Sequence, residues 1–518
     1  MADPLAFFLA LLPIALILIL MVGLRWGAAR AGGAGYLSAL LIGMISFGAG
    51  PQLLAYAHAR ALLLSIDVLL IIWAAFLLYR VADEAGAIRT IGEALPHLTA
   101  DRGMQALVIG WVFASFLQGV GGFGVPVAVI SPILVGLGFT PLSAVIIPSI
   151  GHGWAVTFGS LGSSFQALLA ATGLPSELLA GPSALFLGIS GLLVGFMVAH
   201  AAQGWGAVRR LFVPVLLLGS GMGLAQYFGA IAGLWNISAF LGGLAGLLIA
   251  IPLAYRNRDN HTEHASPAPT RGLEQRKLLI ALSGYAGLIL ITLAIQLIPS
   301  LHDWLGQVRI QVQFPSVSTS LGFTTPSGAG RAIPVFRHAG SILLYASILA
   351  YGIYHRAGLY PSNAPRRILQ GTLRRVLSPS VSIASMVSMA VIMENSGMTD
   401  TLARGLAEST GALFPLVAPW IGALGAFMTG SNTNSNVVFG ALQLRTAELT
   451  GYSAAIILAA QTAGAALASV MAPTKVVVGA STAGMAGKEG DVLRKLIPYT
   501  ALLVLLISAL TALGIWLN

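Results

Sequence analysis

Runs of about 20 apolar residues, the length a helix needs to cross a hydrocarbon layer, alternate along this chain with short polar stretches. They predict helices near 5–24, 35–56, 62–80, 104–118, 127–150, 183–203, 211–228, 231–254, 277–299, 339–356, 376–395, 415–429, 452–470 and 495–517. Two Gly-rich segments break the pattern at membrane depth: Phe116–Val129 (FLQGVGGFGVPVAV) and Phe427–Gln443 (FMTGSNTNSNVVFGALQ). A second break follows each, at Thr157–Phe165 (TFGSLGSSF) and Met471–Thr482 (MAPTKVVVGAST). Backbone that stops being helical inside lipid leaves amide and carbonyl groups without water, so it survives only inside protein or beside a cavity. Paired breaks in the two halves of a chain point to a transport site near the membrane midplane.

The expected fold is an all-α polytopic membrane protein with about 12–14 transmembrane helices and inverted repeats that carry re-entrant or broken hairpins. Broken pieces are expected over 119–126, 153–172, 430–445 and 472–487. The first unit begins after the basic stretch Arg80–Arg102 and the second after Asp400–Glu408, so the two enter the membrane from opposite sides. The chain then divides into N-terminal helices (1–103), a first repeat (104–182), helices (183–254), a cytoplasmic linker (255–276) and one helix (277–299). An external loop (300–338), helices (339–413), a second repeat (414–490) and a C-terminal helix (491–518) follow. Within the loop, Val308, Ile310, Val312 and Phe314 alternate with polar residues, a strand period that reads as a hairpin or as an exposed loop without a transport role.

Composition narrows the class further. Of 518 residues, 57% are hydrophobic and 8% charged, against about 25% charged in soluble domains. The absence of cysteine excludes disulfides and thiolate metal sites. The net charge of +10 does not point to nucleic acid, because the basic residues lie in loops between apolar runs and report orientation. Arg25 and Arg30, Arg80 and Arg89, Arg209 and Arg210, Arg256–Lys277, His355–Arg375 and Lys488–Lys495 mark the cytoplasmic side. Both termini then fall outside, in a bacterial inner membrane, and the first apolar run is a retained helix, with no basic leader before it.

FLQGVGGFGVPVAV, TGSNTNSNVVFGALQ and SVMAPTKVVVGASTAGMAGKEGD together resemble the bacterial L-lactate permease family in order and spacing. That resemblance implies uptake of L-lactate, glycolate or related 2-hydroxy monocarboxylates with protons, on a fold of inverted repeats with re-entrant hairpins. Where the family usually has Glu and Asp, this chain has Gln118 and Asn432, and Lys475 stands where the family often has an uncharged polar residue. Amides cannot take up a proton, so coupling cannot run through those two positions.

The candidate site residues follow from the breaks. Gly119, Gly121, Gly122 and Gly124 around Phe123 permit a tight hairpin tip, which Gln118 would arm with an amide, or else they serve close helix packing. Ser431, Asn432, Thr433, Asn434, Ser435 and Asn436 offer hydroxyls and amides to a carboxylate, a 2-hydroxyl or Na⁺, or else join helices by hydrogen bonds. Thr474 and Lys475 follow Pro473, where a half-helix would begin with free N–H groups; Lys475 either pairs the substrate carboxylate or snorkels to the cytoplasmic face. Ser163 lies in the first half's second break. His152 and Glu394 are the proton-coupling candidates, read otherwise as a neutral buried His and an interfacial carboxylate.

No metal site, cofactor or nucleic-acid partner is expected, and the oligomeric state is not legible. An intramembrane hydrolase built on His152 with Ser160, Ser163 or Ser164 lacks a nucleophile-elbow motif. A channel suits inverted broken repeats less well than alternating access does. The function read from the sequence is therefore symport of a small monocarboxylate with protons, not enzyme catalysis; the alternative is a sodium-coupled carboxylate carrier.

Overall fold

The computed structural model describes residues 4–517 except 25, 96–97, 100, 123, 259–270 and 331. Phe123, Arg25 and most of the expected linker therefore lie outside the described residues. The chain opens with α1 (Pro4–Leu18), α2 (Ala28–Ser46), α3 (Pro51–Glu84) and the short α4 (Ala87–Ala94). Next come α5 (Arg102–Gln105) and α6 (Ala114–Val120), joined through a π-helical stretch into one span, then α7 (Val125–Gly136), α8 (Pro141–His152) and α9 (Gly159–Thr172). Four helices follow, α10 (Ser176–Arg210), α11 (Phe212–Gly229), α12 (Ser238–Arg258) and α13 (Arg271–Leu297), and then α14 (Pro299–Leu305). After a β segment come α15 (Ala339–Arg356), α16 (Ala364–Asn395), α17 (Met398–Thr410), α18 (Phe414–Thr429), α19 (Asn432–Thr450), α20 (Ala454–Ala468), α21 (Pro473–Thr482) and α22 (Glu489–Leu517).

Among the described residues eleven helices are long and apolar enough to cross a membrane, or up to twelve if the bent pair Pro141–Ala155 and Gly159–Thr172 counts as one span. The upper count meets the low end of the expected range, although the run at 127–150 is not one helix. Gly138, at φ +86°, ends α7, and Thr140 caps the new helix that Pro141 opens, its side chain accepting from the Ser143 amide. The breaks are also shorter than expected: residues 163–172, 432–445 and 473–482 are helical. Apolar faces alone do not locate these helices, since lipid and protein interior are equally apolar. Burial does. The hydrophobic window of Arg102–Val120 is wholly buried and that of Ala454–Thr482 is 89% buried, against 28% for Pro4–Met21. The two broken units thus form the centre, and α1–α3 with α10–α16 stand around them.

Large side chains fix the first unit in place. Trp154 donates to Ser115 Oγ at 2.9 Å, and Ser115 in turn donates to the Trp111 carbonyl at 2.8 Å. Phe116 packs on Phe240 and Tyr285 at ring separations of 5.1 and 5.5 Å. The alternating residues near 308–314 do form a hairpin. β1 (Arg309–Ile310) pairs β6 (Ile333–Pro334), β2 (Gln313–Phe314) pairs β5 (Gly328–Ala329) and β3 (Val317–Ser318) pairs β4 (Thr324–Thr325), all antiparallel and nested as one ribbon. Its tip docks on the α2–α3 corner, where Ser320 donates to the Gly48 carbonyl at 2.9 Å.

Candidate functional site

Four half-helices begin close together, those of α7, α9 and α19 in the interior and that of α21 at its edge, where Pro473 and the predicted site residue Thr474 are exposed. α7 starts after the turn Gly121–Gly124, α19 after Gly430, and α21 at Pro473, which suits a first helical turn because it has no amide to satisfy. α9 starts after Ser160, Leu161 and Gly162, three successive residues at φ +47°, +56° and +81°. A left-handed backbone costs about 1–2 kcal/mol at each non-glycine residue, so burial of Ser160 and Leu161 holds that turn against its own preference.

The four starts touch in a ring. A Cβ built on Gly122, itself at φ +50°, would fall 1.7 Å from Ser160 Oγ, so the α7 and α9 starts meet there. Ser164 and Thr433 share a hydroxyl hydrogen bond of 2.9 Å between α9 and α19. A Cβ on Gly430 would lie 2.6 Å from Thr474 Oγ1, which brings α19 against α21. One on Gly124 would lie 4.0 Å from Lys475 Cγ, closing α21 onto α7. α9 and α19 then run side by side, since Gly440 faces Leu168, Ala171 and Thr172, while Gly479 of α21 faces Val127 of α7. Each half therefore pairs its later half-helix with the hairpin limb of the other half, as an inverted repeat requires.

Inside the ring the polar groups form one network. Asn432 Nδ2 donates to Thr157 Oγ1 at 3.1 Å, and Asn436 Nδ2 donates to Thr462 Oγ1 and to the Ser164 carbonyl, both at 2.9 Å. Thr157 and Thr462 are hydrogen-bonded at 3.1 Å. Gln118 points at its own half's second break, packed on Gly122 and Gly159. The Thr157–Ser160 stretch thus lies between Gln118 and Asn432. Among the described residues Gln118 Oε1, Ser163 Oγ, Asn432 Oδ1 and Asn436 Oδ1 are buried with no hydrogen-bond partner. Lys475 is half-buried and donates to Ser469 Oγ at 2.9 Å, so its ammonium sits at the second break instead of reaching along α21. His152 is fully buried; Nδ1 lies 2.7 Å from the Pro148 carbonyl, which makes it the protonated nitrogen and leaves Nε2 as an acceptor without a partner.

Other expected residues lie apart from this network. Gly119 packs against the Phe240 backbone and Gly121 against Tyr79. Ser431 caps α19 by accepting from the Asn434 amide. The helical twist that puts Asn432, Thr433 and Asn436 on one face turns Asn434 to Ser382 of α16 and Ser435 to the Gly422 carbonyl of α18. Glu394, at the end of α16, lines a separate cavity with Arg60. Sequence reasoning did not single out Thr157, which opens the first half's second break, or Thr462, an ordinary hydroxyl in an apolar run. It also missed Asp67, which accepts from Gln166 of α9 and lies 2.9 Å from His338 Nε2 at the start of α15. A lone Asp in the middle of the apolar run at 62–80 was the available signal.

Helix starts expose unpaired N–H groups and the positive ends of helix dipoles. Four of them around one point, with Lys475 beside them, make an electropositive centre suited to one carboxylate, while the unpartnered oxygens accept from a hydroxyl or coordinate a cation.

Comparison with known proteins agrees in kind. The family described as L-lactate permease matches residues 6–517. The L-lactate permease of Escherichia coli strain K12 is 27% identical, over 86% of this chain and 83% of the relative. The glycolate permease GlcA of the same strain is 26% identical, over 97% and 94%. Of solved structures, the YdaH transporter of Alcanivorax borkumensis is similar over 86% of this chain and 85% of its own, with a TM-score of 0.48 and 17% identity.

Proposed function

Because the chain belongs to the L-lactate permease family, and is therefore a multi-pass membrane protein, we propose that it is a symporter of small monocarboxylates. L-Lactate or a related 2-hydroxy acid is the substrate in this reading, and protons drive it across a bacterial inner membrane. The observation that carries the proposal is the ring of four half-helix starts with Lys475. The substrate carboxylate would lie against the starts of α19 and α21 and the Lys475 ammonium, and its hydroxyl would donate to Asn432 Oδ1 or Asn436 Oδ1.

Both termini and the ribbon face outward in this reading, because the basic ends of α3, α10 and α16 share the opposite side. Proton coupling falls to His152, whose free Nε2 is a ready acceptor, or to Glu394. A sodium-coupled carrier is the second reading, favoured by the unpartnered oxygens of Gln118, Asn432 and Asn436. The test is uptake of labelled L-lactate into proteoliposomes with pH and Na⁺ gradients imposed separately. Accumulation driven by an inward proton gradient alone supports the proposal. Accumulation driven only by Na⁺ replaces it with the second reading, and no saturable uptake under either gradient refutes both.

A further inference from the structure

A cavity of about 760 Å³ lies at the ribbon end of the bundle, walled by α3, α9, α16 and α19 and covered by Phe314 and residues 325–330 of the ribbon. Among its described lining residues the cation is Arg60, half-buried on α3. The guanidinium lies over the Phe314 ring, 4.8 Å from its centroid, and Nη1 reaches Asn395 Oδ1 at 3.4 Å, a long and weak contact. Among the described residues no carboxylate lies within ion-pair distance of Arg60. A cation–π contact of this kind needs none of the guanidinium's N–H donors as hydrogen-bonding groups, and those donors form the fork that matches a carboxylate. The one described carboxylate on the cavity wall, Glu394, is exposed to it and neighbours Asn395.

We infer that Arg60 is a second carboxylate site, which holds a small monocarboxylate in the ribbon-side cavity before it reaches the ring. The inference rests on the carrier reading and adds a station to it. The substrate class follows from the local charges: among the described residues the wall presents one guanidinium, Arg60, and one carboxylate, Glu394, so a ligand with a single carboxylate can pair Arg60, whereas a second carboxylate on the same molecule would be repelled by Glu394. Delivery is built into the walls, because Ala167 of α9 and Val437 of α19 line the cavity and belong to the two half-helices whose starts form the ring. Phe314 holds the guanidinium by its face, so the ribbon orients this site as well as covering it.

The electrostatics give two variants opposite signs. Arg60→Gln removes the charge-assisted contact and should raise the ribbon-side half-saturation for L-lactate by about tenfold or more. Glu394→Gln removes the repulsion and should lower it. Both are read as exchange of labelled L-lactate in right-side-out vesicles loaded with unlabelled substrate, which needs no net proton movement. Half-saturation from the opposite side, measured for Arg60→Gln in inverted vesicles, should stay within about twofold of wild type. Arg60→Lys, which keeps the charge and loses the fork, should fall between wild type and Arg60→Gln and serves as the folding control. An unchanged ribbon-side half-saturation in Arg60→Gln, or a shift in the same direction in both variants, overturns the inference and leaves the carrier reading standing. Wild-type vesicles that exchange no monocarboxylate overturn the carrier reading itself, and this inference with it.

Discussion

Replacing Lys475 with Met tests the ring most directly. The substitution keeps an unbranched chain against Gly124 and removes only the ammonium. Among the described residues that ammonium donates to Ser469 Oγ alone, and Ser469 retains its own bond to the Ala466 carbonyl at 2.9 Å. The stability lost is about 1 kcal/mol, offset by no longer holding a charge at depth. Substrate binding is affected more. An ammonium and a carboxylate about 4 Å apart attract by about 4 kcal/mol at an effective dielectric of 20, and desolvation leaves the roughly 1.5–3 kcal/mol typical of hydrogen bonds to charged groups. Taking about 2 kcal/mol, the Kd for L-lactate should rise about thirtyfold. The assay is calorimetric titration of protein in nanodiscs, with the melting temperature recorded alongside. A folded variant whose Kd lies within twofold of wild type would refute the assignment of Lys475 to the carboxylate.

Three further substitutions probe the same centre. Gly122→Ala puts a side chain where φ is +50° and Ser160 leaves no room; it should cost more than about 2 kcal/mol, seen as a lowered melting temperature with transport lost, and near-wild-type stability would mean the α7 and α9 starts do not meet. Thr462→Val keeps the shape but leaves the Asn436 amide one acceptor short, which should cost about 1–3 kcal/mol and cut substrate binding more than Ser508→Ala, a change remote from the ring, does. His152→Gln should abolish accumulation driven by a pH gradient while sparing exchange; accumulation that still follows the gradient would remove His152 from the coupling role.

The helical membrane architecture, the two broken units and even the hairpin at 309–334 were readable, because each is written locally: in apolar runs, in Gly and Pro at depth, and in a two-residue alternation. The positions of the breaks were readable, but their extent was not. Nothing in the composition of SNTNSN distinguishes an irregular loop from the first turns of a helix, and the structure makes it a capped helix whose twist distributes its side chains to three neighbours. Thr157, Thr462, Arg60 and the Asp67–His338 pair escaped for a different reason. Thr157 and Thr462 are 305 residues apart and Asp67 and His338 are 271 apart, so only the crossed packing of the two halves, which no local pattern encodes, brings either pair together.

That crossed packing also determines where the central unit is tied to its surroundings. Near the ring, among the described residues, the side-chain bonds from its half-helices to the surrounding helices are Gln166 of α9 to Asp67 of α3 and Asn434 of α19 to Ser382 of α16, while Arg445 ties the far end of α19 to Asp400 of α17. The first two lie on the two half-helices that wall the ribbon-side cavity, a turn or less from the ring contacts of Ser164 and Asn436. Around these bonds the facing surfaces of α3, α9, α16 and α19 present Val68, Ala167, Val387 and Val437, apolar groups that lose little when they slide, since dispersion contacts are re-formed at each position. A hydrogen bond to a carboxylate is different: it is made at one position or not at all. Asp67–Gln166 is therefore the contact that distinguishes one placement of α9 from another. Gln166→Leu should shift the exposure of ring residues to ribbon-side reagents, read as the rate at which a cysteine placed at Ser163 is alkylated from that side. An unchanged rate, in a variant that folds and exchanges substrate normally, would show that the Asp67–Gln166 bond does not set the placement of α9.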